Sequence, residues 1–288
     1  MKNFIIKTTL LLSVAVLSAS LANAASKTVK PSGSAVSKSY DITSVTGISL
    51  ASQGIVYYEQ GKTTSVKVKA TQTILDILEI VCKDGLLSIG FKKDVSVKMD
   101  NDDLIIYVTA PNIKKLSLSG SGDIKVNSAI SVDKLDIDLS GSGDIKFNGV
   151  TATNITANVA GSGDIDFGAD TKATNINFNV TGSGDVKCDN PVAENVNCSV
   201  SGSGDIKMDG GKATNASLSV NGSGDISAHN METQTVKAST SGSGDITCNS
   251  KETLDSSISG SGTVKYSGSP STVNTSGNST PSTYNKKK

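Results

Sequence analysis

Seven aspartates recur along the second half of the chain at near-constant spacing: Asp123, Asp144, Asp164, Asp185, Asp205, Asp225 and Asp245. Evenly spaced carboxylates are candidate calcium ligands, because hard cations take oxygen donors and Gly/Asp turns hold calcium in secreted β-rolls. Those rolls, however, repeat about every nine residues. Here the step is 20 or 21. If the aspartates stack about 5 Å apart, each neighbouring pair repels by roughly 1 kcal/mol in bulk water and by several at lower effective dielectric. Two features offset this without metal. A lysine column lies two residues on, at Lys125, Lys146, Lys187, Lys207 and Lys265, and corner amides can cap the carboxylates. The structural reading is primary, with calcium and direct ligand contact as the alternatives.

Other reactive groups are sparse. Cys188 and Cys198 fall on facing inward positions half a repeat apart, the candidate disulfide of the chain. Independent buried thiols are the preferred alternative for all of Cys82, Cys188, Cys198 and Cys248. Cys188 and Cys248 share a column but lie three repeats apart, about 14 Å, too far to bridge. Neither spacing is that of a zinc site, and His229 is the sole imidazole. Gly61-Lys62-Thr63 resembles the tail of a P-loop, but Val56 stands where the first glycine is required. With no nucleophile beside His229, a His-based triad is not indicated. Carboxylate-only glycosidase chemistry is the catalytic class left open, since it needs few special residues.

Composition narrows the partners. All 27 basic residues are lysine. Arginine, the preferred bidentate reader of phosphate and guanine, is absent, which argues against nucleic acid. Aromatics make up 4% with no Trp, so base-stacking platforms are not expected. The chain opens with Lys2 and Lys7, then an apolar run from Leu10 to Leu17, then small residues at Ala22 to Ala24. Residues 1–24 therefore read as a secretory signal peptide, and the protein is expected to be exported, to the periplasm, the outer surface or the medium. The run is too short for a membrane anchor. Removing Lys2 and Lys7 leaves 25 lysines against 27 acids, a net charge of −2, too slight to steer toward a polyanion or a membrane.

The elements that must position these groups follow from the repeat. The first glycines of the G-S-G units are Gly120, Gly141, Gly161, Gly182, Gly202, Gly222, Gly242 and Gly260, a period of about 20 residues that means a solenoid. Two, four and six residues before each glycine stand apolar columns. The nearest reads Leu118, Leu139, Val159, Val180, Val200, Val220, Thr240, Ile258. Asp, Asn, Ser and Thr fill the gaps, the alternation of a half-buried strand. A second short strand follows each corner, with Ile or Val four residues past the glycine. Another turn follows, signalled by Asn148-Gly149, Asp189-Asn190-Pro191 and Asp209-Gly210-Gly211. The fold expected is all-β: a right-handed parallel β-helix with coils of about 20 residues, the hand being that of most parallel crossovers. The corner glycines are expected at positive φ where neighbouring coils crowd. An asparagine column, Asn154, Asn175, Asn195 and Asn215, is expected to form amide ladders that join the coils.

The ends are less regular. Residues 25–40 read as a flexible lead and residues 41–115 as an irregular β region capping the solenoid, which spans 116–267. Residues 268–288, rich in Ser, Thr, Pro, Asn and Gly and ending in lysines, read as a disordered tail. This tail has no amphipathic strands of a translocator barrel.

The succession GISLASQGIVYYEQG, VKVKA, LLSIGFKK and LIIYVTAPNIKKLSLSGSGDI resembles the head GIN domain family of bacterial autotransporter adhesins over residues 41–266. The resemblance implies an exported β-helical domain and brings no catalytic residues. The expected function is thus non-enzymatic: adhesin-like presentation of a flat Ser/Thr/Asn-rich β face to a surface glycan or envelope protein. The alternatives are a structural or assembly module of the envelope, self-associating end to end, and a polysaccharide-active β-helix enzyme.

Overall fold

A computed structural model describes residues 27–284; the expected signal peptide, residues 1–24, lies outside them. The described chain is all-β, strands joined by turns, with only a four-residue α-helix, Gln72–Leu75, and a 3-10 turn, Asn101–Asp103, besides. It is a parallel β-solenoid built from coils of about 20 residues.

One coil shows the rest. Strand Val150–Val159 runs into the corner Ala160–Asp164, leaves it as the short strand Ile165–Asp166, turns, and re-enters the sheet as Lys172–Val180. These two long strands pair in parallel without slippage: Ile155 lies on Ile176, Ala157 on Phe178 and Val159 on Val180. The next coil repeats this, with Ile176 on Val196 and Val180 on Val200. Because the side-chain period is two, this register puts every apolar column inward, and a slip of one residue would turn the whole set to solvent. The column from Leu118 to Ile258 is buried throughout, its Thr240 included. Where Phe147, Phe167 and Phe178 meet, the rings stack with centroids 5.1 and 4.9 Å apart, wedging the two walls.

The solenoid begins earlier than the repeat suggests. Strands Gly47–Leu50 and Ile55–Gln60 form a full coil that pairs in parallel with Lys115–Leu118 and Asp123–Val126. Its corner, Ala51-Ser52-Gln53-Gly54, takes the place of a G-S-G-D unit, with Gly54 O accepting the Asp123 N–H at 2.8 Å. The chain then builds the end piece on the other side of this coil. Leu86–Phe91 and Leu104–Ala110 lie parallel on it, and Leu78–Lys83 and Ser65–Thr71 add to them antiparallel. The switch from parallel to antiparallel ends the repeat. Tyr58, fully buried, ties the two layers by donating its hydroxyl to Ala110 O at 2.8 Å.

Two segments expected to lack structure are strands. Within the lead, Ala35–Tyr40 pairs antiparallel with Ser65–Thr71, and Lys27–Val29 pairs with Val95–Val97. Within the tail, Thr272–Gly277 and Ser282–Thr283 extend the two walls by one more coil. Both have polar, low-hydropathy sequences. What orders them is the row of backbone groups on the neighbouring strand, which composition does not reveal. The final coil also explains its own polarity. Moving down the inward columns, Ala238, Ser256 and Thr275 succeed one another, as do Thr240, Ile258 and Gly277. Two of the three inward columns thus end in Thr275 and Gly277, small or polar where the stack must stop, while the third keeps Val273, 40% exposed.

Candidate functional site

Each aspartate of the column bonds its neighbour's backbone. The Oδ1 of Asp164 accepts the N–H of Asp185 at 2.8 Å, that of Asp185 the N–H of Asp205 at 2.7 Å, and that of Asp205 the N–H of Asp225 at 2.7 Å. The series runs from Asp123 to Thr263, whose N–H is held by Asp245 at 2.8 Å. Each aspartate's own carbonyl accepts from the previous coil, as Asp185 O does from Ile165 N at 2.9 Å. The carboxylate thus satisfies the one corner amide that the parallel ladder would otherwise leave without a partner, and charge-assisted bonds of this kind are the stronger class.

The second oxygen, Oδ2, meets lysine at some coils. Lys125 reaches Asp123 at 3.7 Å, Lys146 reaches Asp144 at 3.3 Å and Lys265 reaches Asp245 at 3.5 Å. Lys187 turns instead to Asp189, at 2.8 Å, whose hydrogen bond raises the ammonium's pKa. Among the described residues, no group of three or more His, Cys, Asp or Glu side chains converges in the manner of a metal site. With Oδ1 spent on an amide, the column offers a spaced row of single oxygens, whereas calcium wants six to eight around one point.

The corner glycines differ from expectation. None of the G-S-G glycines has positive φ; in the coils that conformation occurs at Gly54, in the first coil's corner, and at the opposite turns, at Gly149, Gly168, Gly210, Gly211, Asp170 and Asn190. The G-S-G glycines are needed for closeness alone. A Cβ on Gly182 would fall on the carbonyl oxygen of Gly161 in the coil before, and one on Gly184 on that of Gly163. Backbone lies on backbone here, and the intervening amide is used too: Ser183 N donates to Gly161 O at 3.0 Å.

Cys188 and Cys198 are both buried and both free, so the candidate disulfide is not formed. One coil up, Phe167 and Phe178 face each other from the same two walls and stack ring to ring. Burial pushes the Cys188 and Cys248 thiols up to about 12, and raises that of Cys198 too. They are core residues, not nucleophiles.

The outer face of the long-strand wall is where a partner could bind. The predicted asparagine column forms an amide ladder, each Nδ2 donating to the Oδ1 before it at 2.8 to 3.0 Å from Asn154 to Asn215. Two further ladders, Asp138–Asn158–Asn179 and Asn177–Asn197, run beside it. Toward the C-terminal end these give way to a serine column, Ser199, Ser219, Ser239, Ser257 and Ser276. There the face dips into an open furrow of about 430 Å³ lined by Ser217, Ser219, Lys237, Ser239, Asp255 and Asn274 among others. A smaller one of about 220 Å³ continues it along Asn195, Asn197, Asn215 and Thr235, sharing Ser217 and Lys237. The serine column was within reach of the sequence, since serine stands three residues before the G-S-G glycine in five of the eight repeats.

Comparisons agree with this architecture. A crystal structure titled a "putative adhesin" from Parabacteroides merdae superposes with a TM-score of 0.67 at 21% identity, covering 90% of this chain and 100% of its own. One titled a "putative lipid binding protein" from Parabacteroides distasonis gives 0.68 at 22%, with the same coverage. At such identities the likeness is one of fold. No curated protein matches the chain. The model of one family matches residues 45–209 and 193–270, spanning the first coil to the last complete G-S-G repeat. The chain belongs to that family, described as "Putative auto-transporter adhesin, head GIN domain".

Proposed function

We propose that this protein is an exported, non-catalytic adhesin-like module that holds a surface glycan against the outer face of its long-strand wall. The observation that carries the reading is the furrow from Asn195 to Ser276, floored by small side chains and edged by amides, hydroxyls, Lys237 and Asp255. Hydroxyl and amide groups repeating about every 4.8 Å suit a ligand that is itself a repeating array of hydroxyls. Each bond there is worth little, and many acting together give useful avidity. The family description and the exported character it implies support the same reading. Among the described residues no helix is long and apolar enough to cross a membrane. Binding of the mature chain to a glycan array tests the proposal. Wild type should retain a defined set of neutral glycans, and Ser239→Trp, which fills the furrow, should release them. Retention that the substitution leaves unchanged would overturn it.

A second reading has its own support. Thr272–Gly277 ends the solenoid as an exposed strand whose far edge has no partner among the described residues, the kind of edge that templates assembly. Under this reading the protein elongates by end-to-end contact, and concentration-dependent growth in size-exclusion chromatography should be abolished by Thr275→Pro.

A further inference from the structure

We propose that a second binding site, for polysaccharides carrying uronic acids, lies on the other wall at the N-terminal end. It is built around the stacked pair Tyr57 and Tyr107. The proposal does not depend on the furrow and uses none of its residues.

The register brings six residues of six strands into one outward row: Ser39, Lys67, Tyr107, Tyr57, Lys125 and Lys146. At the row's centre the tyrosine rings stack, centroids 5.6 Å apart and planes 18° from parallel. Tyr107 is 44% exposed, on a molecule whose other aromatic side chains lie mostly in the core or at the ends. One end of the stack is covered: Lys125 places its Nζ 5.9 Å from the centre of the Tyr57 ring. At the other end Lys67 stands directly across from Tyr107 yet makes no cation–π contact with it. Among the described residues, ion pairs engage Lys115, Lys125, Lys134, Lys146, Lys187, Lys251 and Lys265, and neither Lys67 nor its neighbour Lys69. Both are exposed.

The arrangement therefore presents a tyrosine ring with uncommitted ammonium groups beside it. The nearest acids offset little of that charge. Asp123 is engaged by Lys125 and by the Asp144 amide, and Glu59 faces outward one row over, opposite Thr109. A pyranose ring offers an apolar face of C–H bonds to an aromatic ring, and a uronate adds a carboxylate at its edge for lysine. The row of six strands spans about 24 Å, long enough for several sugar residues of an extended chain. A flat, rigid sheet fits a polymer laid along it. An anionic membrane is less favoured, because Tyr107 lies in a row of lysines and the apolar neighbours on its face, Ile105 and Ile55, are partly and almost fully buried and offer little to insert.

The test is equilibrium binding of the mature chain to immobilised polygalacturonate, its fully methyl-esterified form, and vesicles of phosphatidylcholine with phosphatidylglycerol. Binding is expected to the acid polymer, not to the ester, and to weaken with salt. Tyr107→Ala should weaken it about tenfold, Lys67→Gln with Lys69→Gln at least as much, and Tyr107→Phe should retain it. Each of these side chains is exposed, and an unchanged melting temperature shows that the fold is intact. Ser239→Trp should leave it untouched, which separates this site from the furrow. Absence of binding to the acid polymer, equal binding to the ester, insensitivity to the Tyr107 and lysine variants, or vesicle binding in place of polymer binding would each overturn the proposal.

Discussion

The backbone N–H of Asp225 donates to the Oδ1 of Asp205, 2.7 Å away in the preceding coil. This bond joins residues 20 apart in sequence, and its equivalents give the solenoid a side-chain rail beside its backbone ladders. The function of aspartate here is to accept a hydrogen bond, so asparagine should serve nearly as well. Asp205→Asn should leave the melting temperature close to wild type, whereas Asp205→Ala should cost about 1 kcal/mol, the low end for a charge-assisted bond at an exposed site. Thermal denaturation of both variants decides it. Equal losses would mean that charge, and not acceptance, is what the corner needs.

The same commitment predicts the response to calcium. A site with micromolar affinity would add about 4 kcal/mol at a thousandfold excess of cation. The corner column should add nothing measurable: melting temperatures in millimolar calcium and in chelator should coincide. A rise in calcium that chelator reverses would show the aspartates turning from amides to metal.

Gly182 illustrates the crowding at the corner. An added methyl group would meet the carbonyl oxygen of Gly161, which is backbone and cannot swing aside. Gly182→Ala should therefore lower stability by about 1–3 kcal/mol or more, the range for overpacking. Ser183→Ala, one residue along and exposed, should stay within about 0.5 kcal/mol of wild type. If both substitutions are tolerated alike, the coils are not packed backbone to backbone.

What the sequence discloses is what repeats. The inward columns, the corner, the lysines beside it and the asparagine ladder all recur at one period, so a single coil determines the rest. The position of the corner was legible, but its physical cause was not. Glycine serves equally at positive φ and at close approach, and letters do not separate the two. The first coil is hidden because Ala51-Ser52-Gln53-Gly54 replaces the repeated unit. The strands Ala35–Tyr40 and Thr272–Gly277 are hidden because a neighbouring edge orders them, not their own hydropathy. Tyr57 and Tyr107 are 50 residues apart, and only the end piece folded between them sets their register.

The cysteines give a chemical test of the core. Cys188, Cys198 and Cys248 are buried thiols with raised pKa values, and burial is the leading cause in each case. Near pH 8 the thiolate fraction is negligible and access is blocked, so iodoacetamide should spare all three in the folded protein. Cys82, partly exposed, should react, giving one adduct by mass spectrometry, and unfolding should give four. A folded protein that takes up adducts at Cys188 or Cys198, or an unfolded one lacking two sites, would contradict the packing described.

Asp138 gives the acid limb of stability a local origin. Its carboxylate accepts from Asn158 Nδ2 at 3.0 Å and faces Lys115 Nζ at 3.1 Å; the Asn158 bond is the main cause of its lowered pKa, with burial opposing. A carboxyl whose pKa is lower folded than unfolded stabilises the fold above its unfolded value, near 3.9, and loses that contribution as pH falls through the folded value. The group is 43% exposed, so the contribution is less than about 1 kcal/mol. Asp138→Asn should therefore match wild type below about pH 3 and be slightly less stable at neutral pH. Melting curves across that range test the sign: a variant that gains stability at neutral pH relative to acid would show that the Asn158 bond and the Lys115 pair do not favour the ionised form.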